Sequence, residues 1–409
     1  MSNPLKINPK QFNHVTDWMH RYVDERKYPG SSLLLMHKGS EVFFHACGSR
    51  SVERNLPFQR DTITRIYSMT KPVTSVALMM LVERGLVHLD APLSEYIPEF
   101  REMQALIPGA TQLDQTEHAP IPTLHQLLTH TSGLSYPFNP GVLPQAMDEQ
   151  GLIFKPDQGL LADRVSDLAK LPLAFQPGTR WEYSVGIDVI GRVIEVVSGR
   201  TLDQFFDQEI FEPLGMHETS FSVPAGAGDR FASLYTPLAS GAMTLNSADF
   251  GSDTLRLVDQ SGLSPFEHAT TFSGGGGLVG TIDDYSKFAE MLRTRGQGHG
   301  QRLLGTRTVE FMLRNHLPGD IASMGPKSFA ERPMEGIGFG IGGAIVTNPG
   351  RTCAPCAEGE FSWGGMASTF FWVDPVNDLT AVFFTQLSPS DSYPSRSELL
   401  ALVHGAMIE

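Results

Sequence analysis

The chain has 409 residues, 41% of them hydrophobic, with 40 glycines and 28 prolines. A chain of this length buries a large core without cross-links, and its length sets a prior of about two to three domains. Thirty-one Lys+Arg against 45 Asp+Glu leave a net charge of −14, which argues against nucleic acid, anionic membrane surfaces and polyanionic substrates as partners.

Three cysteines, Cys47, Cys353 and Cys356, are too few for a disulfide framework. Residues 1–9 hold no apolar signal core. The apolar run at residues 76–82 is far shorter than the roughly 20 residues that cross a bilayer. A soluble cytoplasmic protein is expected.

Along the chain, residues 9–26 place Phe12, Val15, Met19, Tyr22 and Val23 at helical spacing, and Pro29 and Gly30 end that helix. Residues 32–36 and 42–46 read as a hairpin turning through Lys38 and Gly39. Residues 72–83 are helical again, with Val73, Val76, Ala77, Met80 and Leu81 on one side. From there to about residue 270, helical patches alternate with Pro/Gly-rich loops. Residues 188–197 and 202–210 are the clearest of these helices. Thr281 and Asp284 form a capping pattern that opens a helix with Ile282, Tyr285, Phe288, Ala289 and Leu292 inward. Strands follow at 338–346, 360–363, 369–373 and 380–385, then a helix at 395–407. Strand-rich ends around a helical middle predict one α/β domain from residues 1–75 and 275–409. A mostly helical domain, 76–274, is inserted in it, leaving a cleft suited to a ligand.

Ser68 and Lys71 stand where the hairpin region gives way to a helix. Spacing of i, i+3 puts both on one helix face. A serine hydroxyl is a weak nucleophile until a base takes its proton, and a lysine whose pKa is lowered by burial can be that base. Backbone N–H groups at the helix start can steady an oxyanion. About one Ser-x-x-Lys is expected by chance in a chain this long, so the motif alone decides nothing. Tyr183 follows a Pro-Gly turn at 177–178 and precedes a helix; its hydroxyl can relay a proton, or it can be a core aromatic. Trp363, Gly364, Gly365 and Met366 precede a strand. Paired glycines there admit a ligand or a second backbone and let an edge strand present an N–H to an acyl oxygen; a bulge in a buried sheet is the plainer alternative.

Taken together and in this order, these segments resemble the serine β-lactamase / penicillin-binding-protein superfamily. They are most similar to the class C-like branch that holds the family VIII carboxylesterases and a fungal statin side-chain acyltransferase. Further segments of the resemblance are 86–92, 123–134, 176–183 and 274–284, and it spans residues 10–405. It implies a β-lactamase-like antiparallel sheet flanked by helices. It also implies Ser68 as the acylated nucleophile, Lys71 as its general base or tuner, Tyr183 as sharing proton transfer, and an oxyanion held by the amides of Ser68 and Met366. No metal or organic cofactor is required.

Two departures bear on substrate. Where the superfamily's second motif ends in asparagine this chain has Val185, and where the third begins with lysine it has Trp363. Both remove polar handles for a β-lactam, so a site formed with Trp363, Gly364, Gly365 and Val185 favours a neutral ester with an apolar acyl group. Expected is a carboxylesterase for short- to medium-chain esters. An acyltransferase on the same trio, a β-lactamase with weak esterase activity, and a binder that has lost its chemistry are the alternatives. Residues 101–120, 136–162, 240–272 and 317–336 are expected to shape the acyl pocket, with Phe138, Tyr235, Phe250 and Trp363 as wall candidates.

Other motifs carry less. There is no His-Glu-x-x-His and no Gly-x-Ser-x-Gly. His125 and His130 read as structural, Cys353 and Cys356 as incidental thiols in a loop, and residues 274–277 as close packing or a turn.

Overall fold

A computed structural model describes residues 6–237 and 255–408. Helix α1, Phe12–Asp24, buries Phe12, Val15, Trp18, Met19 and Tyr22, as its apolar spacing predicts; Pro9–Gln11 form a 3-10 turn before it, capped by the Asn8 side chain. The hairpin strands run longer than expected, as β1, Gly30–His37, and β2, Ser40–Ser51. Short β3, Leu56–Pro57, pairs with the end of β2. Helix α2, Thr70–Glu83, is buried continuously from Thr70 to Leu81. The sequence suggested one apolar side, but a helix enclosed by protein all round shows no solvent face. Helix α3 is Gly186–Ser198. The helix expected to end at residue 210 is Leu202–Phe206; it continues through a π turn, Asp207–Phe211, into Glu212–Leu214.

Helix α4, Ile282–Arg293, starts as predicted, with the Thr281 side chain accepting from the Asp284 amide. The Asp284 carboxylate does not complete a capping box; it accepts from the Glu218 amide instead. The strand expected at 338–346 is two, β4, Ile337–Phe339, and β5, Ala344–Val346. Gly342, in the left-handed region, reverses the chain between them. Then come β6, Phe361–Gly364, β7, Phe370–Asp374, and β8, Leu379–Thr385. Helix α5, Ser395–His404, ends three residues early because Met407–Ile408 pair with Lys6–Ile7.

The eight strands form one antiparallel sheet in the order β4-β5-β6-β7-β8-β1-β2-β3. Side chains alternate across it. Leu33, Leu35, Trp372 and Phe383 meet α1 and α5 on one face. Leu34, Phe371, Val382 and Phe384 join α2, α3 and α4 on the other, in a core that runs on to Leu127, Ile190 and Phe205. Trp18 and Tyr22 both donate to Glu398, at 2.6 and 2.7 Å, and tie α1 to α5. The middle of the chain also carries two small hairpins, Met103–Leu106 with Thr116–Ala119 and Leu234–Thr236 with Arg256–Asp259. Among the described residues no helix is long and apolar enough to cross a membrane.

Candidate active site

Ser68 sits in a 3-10 turn, Tyr67–Met69, directly before α2. Its neighbour Tyr67 has φ 44°. That turn aims Ser68 into a cavity of about 380 Å³. One helical turn on, the Lys71 Nζ lies 3.2 Å from Ser68 Oγ. Because α2 is buried on every side, the Lys71 ammonium is stripped of water and its pKa falls to about 7, with Asp188 opposing the shift in part. Tyr183 arrives from the loop that leads into α3, and its hydroxyl donates to Ser68 Oγ at 2.6 Å. Burial pushes the Tyr183 phenol up, so it stays protonated, while its bond to Ser68 pulls the other way. Lys71 from the same helical turn and Tyr183 from a distant segment therefore meet, as expected together, at the Ser68 hydroxyl.

The loop holding Tyr183 is itself pinned. Asn139 donates to the Tyr183 carbonyl at 2.9 Å, and the Ser184 amide donates to His130 Nδ1 at 3.3 Å. His130 is wholly buried, and burial and Lys71 keep it neutral. Its place against Trp181 and Tyr183 agrees with the structural role expected of it.

Sequence reasoning missed a second layer around the amine. Lys71 Nζ also donates to Tyr136 Oη at 3.0 Å and to the Gly275 carbonyl at 2.7 Å. Gly275 gives its amide to Asp188 Oδ1 at 3.0 Å, and Ser273 donates to the same oxygen. A Cβ on Gly275 would strike the Asp188 carboxylate. The glycine run at 274–277 is thus close packing, as expected, and it holds both a lysine and an aspartate. A tyrosine three residues beyond the Ser132-Gly133 pair was the available signal for Tyr136.

Trp363 lines the cavity, tilted against Tyr183 at 5.5 Å and stacked on Phe329 at 5.8 Å. Strand β6 is not an edge strand; it lies between β5 and β7. Its pairing with β5 stops at Ser362, however, so Trp363 and Gly364 are open on that side. A Cβ on Gly364 would meet the Arg396 guanidinium, and one on Gly365 the Ile66 carbonyl just before the Ser68 turn. Both glycines serve close approach. Met366 lines the cavity beside Ser68, and among the described residues its amide has no acceptor.

Other expectations need correction. Val185 does not line the cavity: it caps α3 and its apolar side chain is fully buried in the core. Tyr235 is no wall residue either; its hydroxyl donates to Glu53 and accepts from the Val52 amide. Phe138 does line the cavity, stacked on Tyr136 at 4.7 Å, whereas Phe250 lies outside the described residues. Segments 136–162, 240–272 and 317–336 supply wall residues, among them Phe154, Phe266 and Phe329. Segment 101–120 supplies none, being folded as a hairpin against Leu173. Arg332 and Arg396 also reach the wall, which the sequence did not suggest. Glu331 stands 3.6 Å from Arg396; burial raises its carboxyl pKa to about 7 with Arg396 opposing, so it offsets that charge in part near neutral pH.

A hydroxyl touched by a near-neutral amine and a protonated phenol, at the mouth of an apolar cavity, is equipped for acyl transfer. The Beta-lactamase family model matches residues 15–405. The chain belongs to the beta-lactamase family. Within that family it is 36% identical over 349 residues to Protein Rv1367c of Mycobacterium tuberculosis, covering 84% of this chain and 82% of that protein. It is 30% identical over 374 residues to Esterase EstB of Burkholderia gladioli, covering 88% and 86%. Among solved structures it is similar to EstCE1, a hydrolase with promiscuous acyltransferase activity. That match has a TM-score of 0.79 and 26% identity, and covers 97% of this chain and 99% of that one. These beta-lactamase-family relatives make the protein a serine hydrolase-type enzyme of ester acyl chemistry.

Proposed function

We propose that the protein is a serine carboxylesterase that cleaves neutral short- to medium-chain carboxylic esters through an acyl group on Ser68. The contact of one hydroxyl with both Lys71 and Tyr183 carries this reading. Neutral Lys71 takes the Ser68 proton as Oγ attacks the ester carbonyl. The carbonyl oxygen becomes an oxyanion between the amides of Ser68 and Met366. The C–O bond then breaks, the alcohol leaves with a proton relayed by Lys71 and Tyr183, and water repeats the steps in reverse to free the acid. In this reading the segment 76–274 is the inserted body that brings Tyr136 and Tyr183 to the Ser68 of the body built from 1–75 and 275–409.

The apolar walls favour an apolar acyl group, and Trp363 in place of a lysine removes a cation suited to a lactam carboxylate. A panel of nitrophenyl esters tests this: turnover is expected for short and medium chains, with a chromogenic cephalosporin cleaved slowly or not at all. Cephalosporin turnover faster than that of every ester would overturn the choice of substrate. Transfer to an alcohol is the second reading, prompted by the activity named for EstCE1; added alcohol would then yield new ester in excess of acid.

Gly365→Ala probes the oxyanion role. The added methyl meets the Ile66 carbonyl and displaces the Met366 amide from Ser68. The expected loss is about 10²–10³-fold in kcat with little change in KM, the effect of removing one oxyanion donor. Steady-state kinetics on one nitrophenyl ester measure it.

A further inference from the structure

Outside the cavity lining, α1 and β2 bring three metal-ligating side chains together. His20 comes from α1; His45 and Cys47, two apart on β2, share the sheet face that packs on that helix. The Nε2 atoms of His20 and His45 face each other at 3.1 Å, with ring centroids 5.0 Å apart. One ring nitrogen of each histidine and Cys47 Sγ all lie within 4.8 Å of one another. Asp24 follows His20 by one helical turn and is close enough to act on Cys47 through its charge. Cys47 is buried, His45 half-buried and His20 exposed, so the group is closed beneath and open to solvent above.

We propose that His20, His45 and Cys47 form a binding site for a borderline-soft divalent transition metal, zinc above all, with Asp24 or water in the fourth position. Two imidazoles and a thiolate suit zinc or cobalt and are poor ligands for calcium or magnesium. Metal–nitrogen bonds of about 2.0–2.1 Å and a metal–sulfur bond of about 2.3 Å set tetrahedral donors about 3.3–3.6 Å apart. The histidine pair already stands near that spacing, and Cys47 Sγ, within 4.8 Å, needs to close by at most about 1.2 Å. A bound ion would clamp α1 to the sheet and take no part in acyl transfer. No sequence motif announces the site, because one ligand is on a helix and two are on a strand. A second cluster, Glu360, Asp374 and His404, is a poorer candidate. Asp374 already accepts from Val376 and Asn377, and Arg332 lies close enough to supply the balancing charge.

The full chain carrying Cys353→Ala and Cys356→Ala, which removes the competing thiols, is freed of metal by chelator and titrated with cobalt(II). The expected result is one equivalent bound at about micromolar affinity or tighter, with a near-ultraviolet thiolate-to-cobalt band and the visible bands of a tetrahedral ion. Zinc should displace it. Cys47→Ser should lose the charge-transfer band, and His20→Ala, at an exposed position, should weaken binding about tenfold or more. Absence of the thiolate band, or binding undiminished by His20→Ala and His45→Ala, overturns the proposal and leaves the two imidazoles as a hydrogen-bonded pair.

Discussion

Ser68→Ala is expected to lower kcat for nitrophenyl ester hydrolysis by about 10⁴–10⁶-fold, the cost of removing a nucleophile from a site whose members act as a unit. The substitution should leave the fold in place. Ser68 is only half-buried, and without it Lys71 still donates to Tyr136 and Gly275. Intact-mass measurement during turnover should find an acyl adduct on the wild-type chain and none on the variant. An alanine variant that kept a tenth of the activity with its adduct intact would place the nucleophile elsewhere.

The second large effect concerns the amine. Lys71→Met should reduce kcat by about 10³-fold or more, since general-base assistance alone contributes about 10²–10⁴. The pH profile adds a signature. Burial lowers the Lys71 pKa to about 7, and only the unprotonated amine can accept the serine proton. The rate constant kcat/KM should therefore rise about tenfold per pH unit below about 7 and level off above it. Lys71→Arg, always charged, should be inactive across the range. A wild-type profile flat from about pH 5.5 to 8 would count against Lys71 as the base.

Helices with one wet face, such as α1 and α4, were legible because burial imposes a period on them, whereas α2, enclosed all round, keeps none. The helical spacing of Phe12, Val15 and Met19 survives into the structure, while the unbroken apolar run Leu33, Leu34 and Leu35 divides between the two faces of β1 only once the strand forms. One helical turn put Ser68 and Lys71 on the same face, but a motif expected about once by chance could not single them out, and resemblance did. Tyr183 was placed by resemblance, since no local pattern ties it to a residue 115 positions earlier. Tyr136, Gly275 and Asp188 went unread for the same physical reason: each reaches the amine from a separate segment. Val185 was misplaced because spacing along a motif does not say which way a side chain turns at the start of a helix. The break within 338–346 hid in glycines whose conformation only the hairpin reveals.

Helix α2 has no wet face from Thr70 to Leu81, whereas much of the cavity wall comes from three irregular segments. The two halves of the catalyst are therefore under unequal constraint. A change along the helix disturbs the core and the amine together, so the chemistry is frozen in place. A change in the segments away from Tyr136 and Asn139, which hold Lys71 and the Tyr183 loop, alters what fits while leaving the reacting groups in place. Such a scaffold can drift from one acyl group to another, or from water to another acceptor, without rebuilding its engine.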